Sequence, residues 1–320
     1  MKRSVDFLEG FREHLSVIRG RRPGTVKRYV RAVEVFHAWL EVRGARGASD
    51  VSAVLRDDVE AWLKDLFYHH GNLKNVSRAG KLSAIKSFWR FLFYKHFIID
   101  NPMELIPSPR VQRPMPQKFS TGQLQKIFTA PDRSVPLGVR DFAILELLYA
   151  TGPRVDEVRR LSLEDLTPQG NGFLVRFFTK GGKERLVPMG KTPSASLMAW
   201  LAIREAHAEP SDEALFVSMA RNMPCRRMSV GAYNEVLKRA AAHVGITNER
   251  VFVHKVRATY ATDLYDMGYG IKEISLLMGH NSVATTERYI AISETALKKT
   301  RIPERRWREL EKGGKSEGGL

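Results

Sequence analysis

HKVRATYATDLYDMGYGIKEISLLMGHNSVATTERY, residues 254–289, decides the fold. His254 and Arg257 stand three residues apart, which on a helix puts both side chains on one face, an imidazole beside a guanidinium. Such a face can hold one phosphate. The segment ISLLMG reads as a short buried helix closed by Gly279, so His280 falls where the chain turns rather than on a repeating surface. A further helix is expected after Ser282, its N-cap, with Tyr289 about two turns along.

Two upstream stretches carry the same kind of chemistry. YATGPRVDEVRRLSLEDL, from Tyr149 to Leu166, breaks one helix at Gly152-Pro153 and starts another, with proline expected in the first turn and Arg154 projected from a rigid corner. FFTKGGKERLVP, from Phe177 to Pro188, reads as the core of a hairpin, two strands about Gly181-Gly182 with Lys180 at the tip. Its glycines and lysines do not form a nucleotide loop, because G-x-x-x-x-G-K-[ST] is absent and a strand follows.

Taken in order, these motifs resemble the tyrosine site-specific recombinases, the family of phage integrases and Xer-type resolvases. H-x-x-R, L-x-G-H and T-T-x-x-Y are similar to its C-terminal signature, and the upstream pair to its first-arginine and hairpin-lysine motifs. The resemblance implies six catalytic residues: Arg154, Lys180, His254, Arg257, His280 and the nucleophile Tyr289. The family pattern K-G-x-K-E-R selects Lys180 over Lys183. Three positions depart from the common pattern: Pro153 replaces an apolar residue, Asp156 a small one, and Ala258 a second histidine.

Composition agrees with a polyanionic partner. The chain has 320 residues, enough for two domains each with a core, and a formal net charge of +17 spread along its length. It lacks a run of about 18 apolar residues and the apolar core of a signal peptide, so a cytoplasmic, nucleoid-associated protein without membrane contact is expected. Cys225, the one cysteine, has no disulfide partner and fits a reducing compartment. His69, His70, His207 and His243 lack ligand-spaced partners, so no metal is expected.

The fold class expected is mainly α: an N-terminal helical bundle, then a mixed α catalytic domain with a small antiparallel β-sheet. Apolar spacing predicts four N-terminal helices, roughly 4–19, 24–43, 56–69 and 76–97. The second turns Val26, Val30, Val33, Phe36 and Leu40 inward and Lys27, Arg28 and Arg31 outward. The fourth shows Arg78, Lys81, Lys86 and Arg90 on its outer face. Both basic faces are candidate DNA contacts. Five prolines between Pro102 and Pro116 mark a linker, whose Lys118 would lie near a duplex. Helices are expected at about 192–208 and 229–244, with a basic turn, RNMPCRRMS, that offers Arg226 and Arg227 to phosphate. The domains expected are 1–100 helical DNA clamp, 101–119 linker, 120–299 catalytic, and 300–320 a short helix bearing Ile302, Trp307 and Leu310 before a Gly-rich end.

For chemistry, the resemblance implies cleavage through a 3′-phosphotyrosyl intermediate and exchange through a Holliday junction, with no metal, ATP or other cofactor. A phenol, with pKa about 10, ionises more readily than an alcohol and leaves an ester that keeps the energy of the broken bond. Two arginines suit the non-bridging oxygens; Lys180 would protonate the leaving 5′-oxygen, and His254 and His280 would assist near the tyrosine and phosphate. The implied partners are double-stranded DNA with inverted half-sites, further copies forming a tetramer on two duplexes, a C-terminal helix docked in trans, and a partner recombinase. Two alternatives stay open: a type IB-like topoisomerase, and a DNA-binding accessory protein without catalysis.

Overall fold

A computed structural model describes residues 2–69, 73–111, 116–179, 183–209, 212–220, 223–247, 251–279 and 283–290. The chain divides into two compact units, Met1–Pro114 and Met115–Leu320.

In the first unit, a tight turn at Ser4–Phe7 leads into α1 (Leu8–Glu13), which widens into a π turn over His14–Ile18. The single helix expected there is thus three kinds of helical turn. Next come α2 (Pro23–Val42), the short α3 (Arg46–Ser49), α4 (Arg56–Tyr68) and α5 (Asn75–Tyr94). The inward residues of α2 are those its spacing predicts: Val26, Val30, Val33, Phe36 and Leu40 are all buried. Phe36 is the hub, its ring 4.9 Å from that of Trp62 on α4 and 5.7 Å from that of Trp89 on α5, both edge-on. Phe36→Ala is therefore expected to cost the unit about 3–5 kcal/mol, read by denaturant unfolding followed through tryptophan fluorescence. From the proline-rich segment, Met103 and Ile106 join this core, and Phe119 is buried in that of the second unit.

The second unit opens with α6 (Thr121–Thr129), whose N-terminus is closed by Ser120 and Gln123 in a capping box. Helix α7 (Pro136–Thr151) is apolar on most sides and buried accordingly. It ends at Gly152, where φ is +51° and an added Cβ would lie 2.1 Å from the Tyr260 ring, so no other residue fits. Arg154 then caps α8 (Val155–Arg160) from extended backbone. Pro153 stands ahead of that helix, not in its first turn, because Arg154 takes the capping position.

Strands β1 (Leu166–Gln169), β2 (Gly172–Phe178) and β3 (Glu184–Met189) form an antiparallel sheet in that order, with Phe177 opposite Arg185. After α9 (Lys191–Arg204), β4 (Val217–Ala220) pairs with β5 (Met223–Arg227) in a second antiparallel sheet. The basic turn expected over this stretch includes a strand. Arg227 explains why: its guanidinium donates to the carbonyls of Arg159 and Leu161 and to Ser162 Oγ, fastening the strand to the end of α8. Last come α10 (Val230–His243), α11 (Val253–Asp266), α12 (Ile271–Met278) and α13 (Val283–Ile290). Helix α11 packs on α7, and both α12 and α13 close against α11.

Candidate active site

Helix α11 supplies the deepest cation. Its first N–H, that of Val253, donates to Asn234 Oδ1 of α10, which fixes the start of the helix. One turn in, Arg257 is 1% exposed and donates to the carbonyls of Gly152 and Met278. His254 is exposed at the same end of the helix, its ring stacked on Phe252 at 6.4 Å. The expected shared face thus has a buried guanidinium at depth and an imidazole at its rim.

Arg154 arrives from the corner between α7 and α8. Its Nη1 and Nη2 both donate to the carbonyl of Gly279 at 3.2 Å, and its side chain remains 42% exposed. Arg185 comes from β3, where the alternation of ERLVPM turns it inward with Val187 and Met189. It donates to the carbonyl of Leu277 and lies over the Phe177 ring at 4.6 Å. The carbonyls of Leu277, Met278 and Gly279 at the end of α12 thus each accept from a different arginine, brought from β3, α11 and the α7–α8 corner. Carbonyls at a helix C-terminus lack intrahelical donors and carry the negative end of the helix dipole, so cations are held well there.

One carboxylate organises the three arginines. Glu157 Oε1 accepts from Arg154 Nη1 at 2.8 Å, Oε2 from Arg185 Nη2 and from the Arg154 backbone N–H at 2.8 Å, and Arg257 Nη1 lies 4.0 Å away. Burial opposes its ionisation, but the Arg185 charge and the hydrogen bonds from Arg154 and Arg185 together outweigh burial and hold its pKa below the ordinary carboxylate value. A depressed pKa gives stability that is complete above the unfolded value, near 4.5, and lost as pH falls through the folded one. The second unit should therefore weaken below about pH 4.5, and Glu157→Gln should flatten that dependence in acid-unfolding titrations.

Three guanidiniums and one carboxylate leave two positive charges. A phosphodiester carries one negative charge and the phosphorane formed on attack carries two, so the cluster's charge matches the transition state better than the substrate.

Lys180 and His280 lie outside the described residues, and of Tyr289 only the backbone, in the last turn of α13, is described. The residues that precede the first two are neighbours: a Cβ at Gly279 would lie 3.1 Å from Thr179 Cγ2. Thr179 closes the hairpin base, its N–H and hydroxyl both donating to the Lys183 carbonyl. Glu157 and Arg185 received no role from the sequence. The signals available were a charged residue at an inward position of β3, and the R-x-x-E spacing that returns Glu157 to Arg154.

The candidate DNA contacts differ in their freedom. Lys27, Arg28, Arg31 and Arg90 are exposed. Arg78 lies over the Phe67 ring at 4.5 Å, and Lys86 donates to the Ile106 carbonyl. Lys81 is half-buried, and Lys118 is 3.9 Å from Asp266. Arg226 is exposed beside Glu209, whereas the donors of Arg227 are engaged at the end of α8.

Residues 117–295 match the phage integrase family, and residues 8–96 the phage integrase N-terminal SAM-like domain. The chain belongs to the phage integrase family. It is a tyrosine recombinase, a DNA strand-exchange enzyme. The tyrosine recombinase XerC of Oceanobacillus iheyensis is 31% identical over 296 residues, covering 91% of this chain and 93% of the relative. The tyrosine recombinase XerD of Listeria monocytogenes is 29% identical over 294 residues, covering 92% and 96%. Among solved structures, XerH site-specific recombinase bound to a palindromic difH substrate superposes with TM-score 0.70 at 17% identity, over 85% of this chain and 78% of that one. A lambda integrase dimer bound to a COC′ core site gives 0.68 at 17%, over 89% and 94%. These likenesses show that the recombinase shares the fold.

Proposed function

We propose that this recombinase cleaves one DNA strand by attack of Tyr289 on a phosphate held by Arg154 and Arg257. The phenol gives up its proton and its oxygen bonds to phosphorus. The bond to the 5′-oxygen breaks, Lys180 protonates that oxygen, and a 3′-phosphotyrosyl ester remains. A 5′-hydroxyl from a second duplex then attacks the ester and releases the tyrosine, so no ATP is consumed. His254, exposed at the rim, handles the proton at the tyrosine, and His280 donates to the phosphate. The observation that carries this reading is the convergence of Arg154 and Arg257 on Glu157 and on the carbonyls that end α12.

The exposed cations of α2 and α5 contact phosphates of the flanking duplex, which sets affinity and its salt dependence but not sequence. In this reading the domains are a clamp over 1–100, a linker over 101–119, a catalytic domain over 120–299 and a C-terminal tail over 300–320. A lambda integrase has been captured as a tetramer on a Holliday junction, and the shared fold supports the same assembly here on inverted half-sites. The tail's Ile302, Trp307 and Leu310 would dock on a neighbouring copy. Among the described residues no helix is long and apolar enough to cross a membrane, and the reading places the protein in the cytoplasm with the nucleoid.

The test uses genomic fragments selected by footprinting with the full-length protein. A plasmid bearing two copies of the selected site should give recombinants and four-way junctions. Relaxation of any supercoiled plasmid without exchange would instead mark a topoisomerase.

A further inference from the structure

The helix that carries His254 begins on a residue unable to cap it. Phe252 holds the capping position of α11 and has no side-chain acceptor for the amides of the first turn, which lack partners within the helix. Its ring instead lies parallel to that of His254, with 6.4 Å between centroids. The acceptor comes from another helix. Asn234 of α10 takes the Val253 N–H on its Oδ1 at 3.0 Å, while its Nδ2 donates to the Val230 carbonyl of its own helix at 3.3 Å. That second bond decides which amide atom faces Val253. Val253 is 2% exposed, so its amide depends on a protein acceptor rather than on bulk water.

We propose that Asn234 is a positioning residue for His254, a cap supplied from α10 that holds the first turn of α11 where the imidazole can take the Tyr289 proton. This rests on the reading that His254 handles the proton at the tyrosine. Burial of the Val253 and Lys255 side chains holds that turn sideways, and the Asn234 hydrogen bond closes its open end. Arg257 lies one turn further in and has its own anchors in the Gly152 and Met278 carbonyls. Loss of the Asn234 acceptor therefore loosens the imidazole and spares the guanidinium. Proton transfer needs its two heavy atoms within about 3 Å of each other, and a misplacement of about 1 Å can cost on the order of 10²-fold in rate. Affinity for a duplex, which rests on many phosphate contacts, is not touched.

The experiment is a double-mutant cycle on the full-length protein, read as single-turnover cleavage of a nicked duplex carrying the footprinted sequence, at saturating protein. Asn234→Leu is expected to cleave roughly 10–100-fold more slowly than the wild type, with DNA affinity unchanged. Introduced into His254→Ala, the same substitution should leave the residual rate as it is, because the side chain it positions is gone. A purely structural role would slow both backgrounds alike. Asn234→Asp keeps an acceptor, at a helix N-terminus where negative charge is favoured, and should retain most of the rate. Val253→Pro removes the donor and suits a first helical position that follows the extended Phe252. On that background Asn234→Leu should slow cleavage less than it does with Val253 in place. Equal slowing with and without His254, equal slowing with and without the Val253 N–H, an Asp variant as slow as Asn234→Leu, or wild-type cleavage by Asn234→Leu would overturn the proposal. Should the Leu variant not fold, Asn234→Ala decides, since it opens room for a water at the Val253 N–H. Slower cleavage that depends on His254 then supports the proposal, and a wild-type rate or a loss independent of His254 overturns it. Wild-type cleavage by His254→Ala would remove the underlying reading; a slow His254→Ala, with Asn234 variants whose effect does not depend on His254, would remove only this inference.

Discussion

Tyr289→Phe is expected to bind the selected DNA like the wild type and to form no covalent adduct on a nicked duplex, a complete loss visible by denaturing electrophoresis. Only the oxygen is removed, so packing is spared. Helix α13 is fixed by Thr286 and Ile290, both buried, the latter among Ala258, Tyr260 and Ala261 of α11 and Ile274 and Met278 of α12. Position 289 lies in a helix that packs directly on the one carrying Arg257. Three other phenols lie nearby in the sequence. Tyr260 packs on Gly152, and burial pushes its pKa above the ordinary phenol value, which makes it a poorer source of phenolate. Tyr269 is exposed beyond the end of α11, and Tyr265 is half-buried there.

Arg257→Ala should slow cleavage within the bound complex by on the order of 10²–10³, the usual result of losing one charged donor from a site built for a developing anion. The loss should fall on the rate rather than on affinity, because one buried cation adds little to the many phosphate contacts of a duplex. Stability should fall as well, since the Gly152 and Met278 carbonyls lose their donor in the interior. Thermal unfolding of the variant separates the two effects: at a temperature where it is fully folded, the rate deficit should persist. A variant that is folded and cleaves like the wild type would exclude Arg257 from the phosphate.

Much of this was legible in the chain because the deciding signals are local. Val26, Val30, Val33, Phe36 and Leu40 announce a half-buried helix by spacing alone, and the β-branched and aromatic residues about Gly181-Gly182 announce a hairpin. The motifs that carry Arg154 and Arg257 can likewise be picked out one at a time. What stayed hidden are the pairings. Glu157 meets Arg185 across 28 residues of chain and Arg257 meets Gly152 across 105, and no periodicity encodes either. Arg227 read as a phosphate contact for the same reason. Its partners at the end of α8 lie 65 to 68 residues away, so the sequence shows a basic loop where the fold has a fastened strand. The unequal burial of His254 and Arg257 was also invisible, because helical spacing fixes the face but not the depth to which each end is covered.

The central claim is that a phosphate held by Arg154 and Arg257 is attacked by the phenolic oxygen of Tyr289. Its most direct test is mass spectrometry of the protease-digested adduct trapped on a nicked duplex. The account predicts a single nucleotide-bearing peptide containing residues 283–290, esterified at Tyr289 to a 3′-phosphate, with a free 5′-hydroxyl on the released strand. A nucleotide attached at any other residue, or a link through a 5′-phosphate, would contradict it.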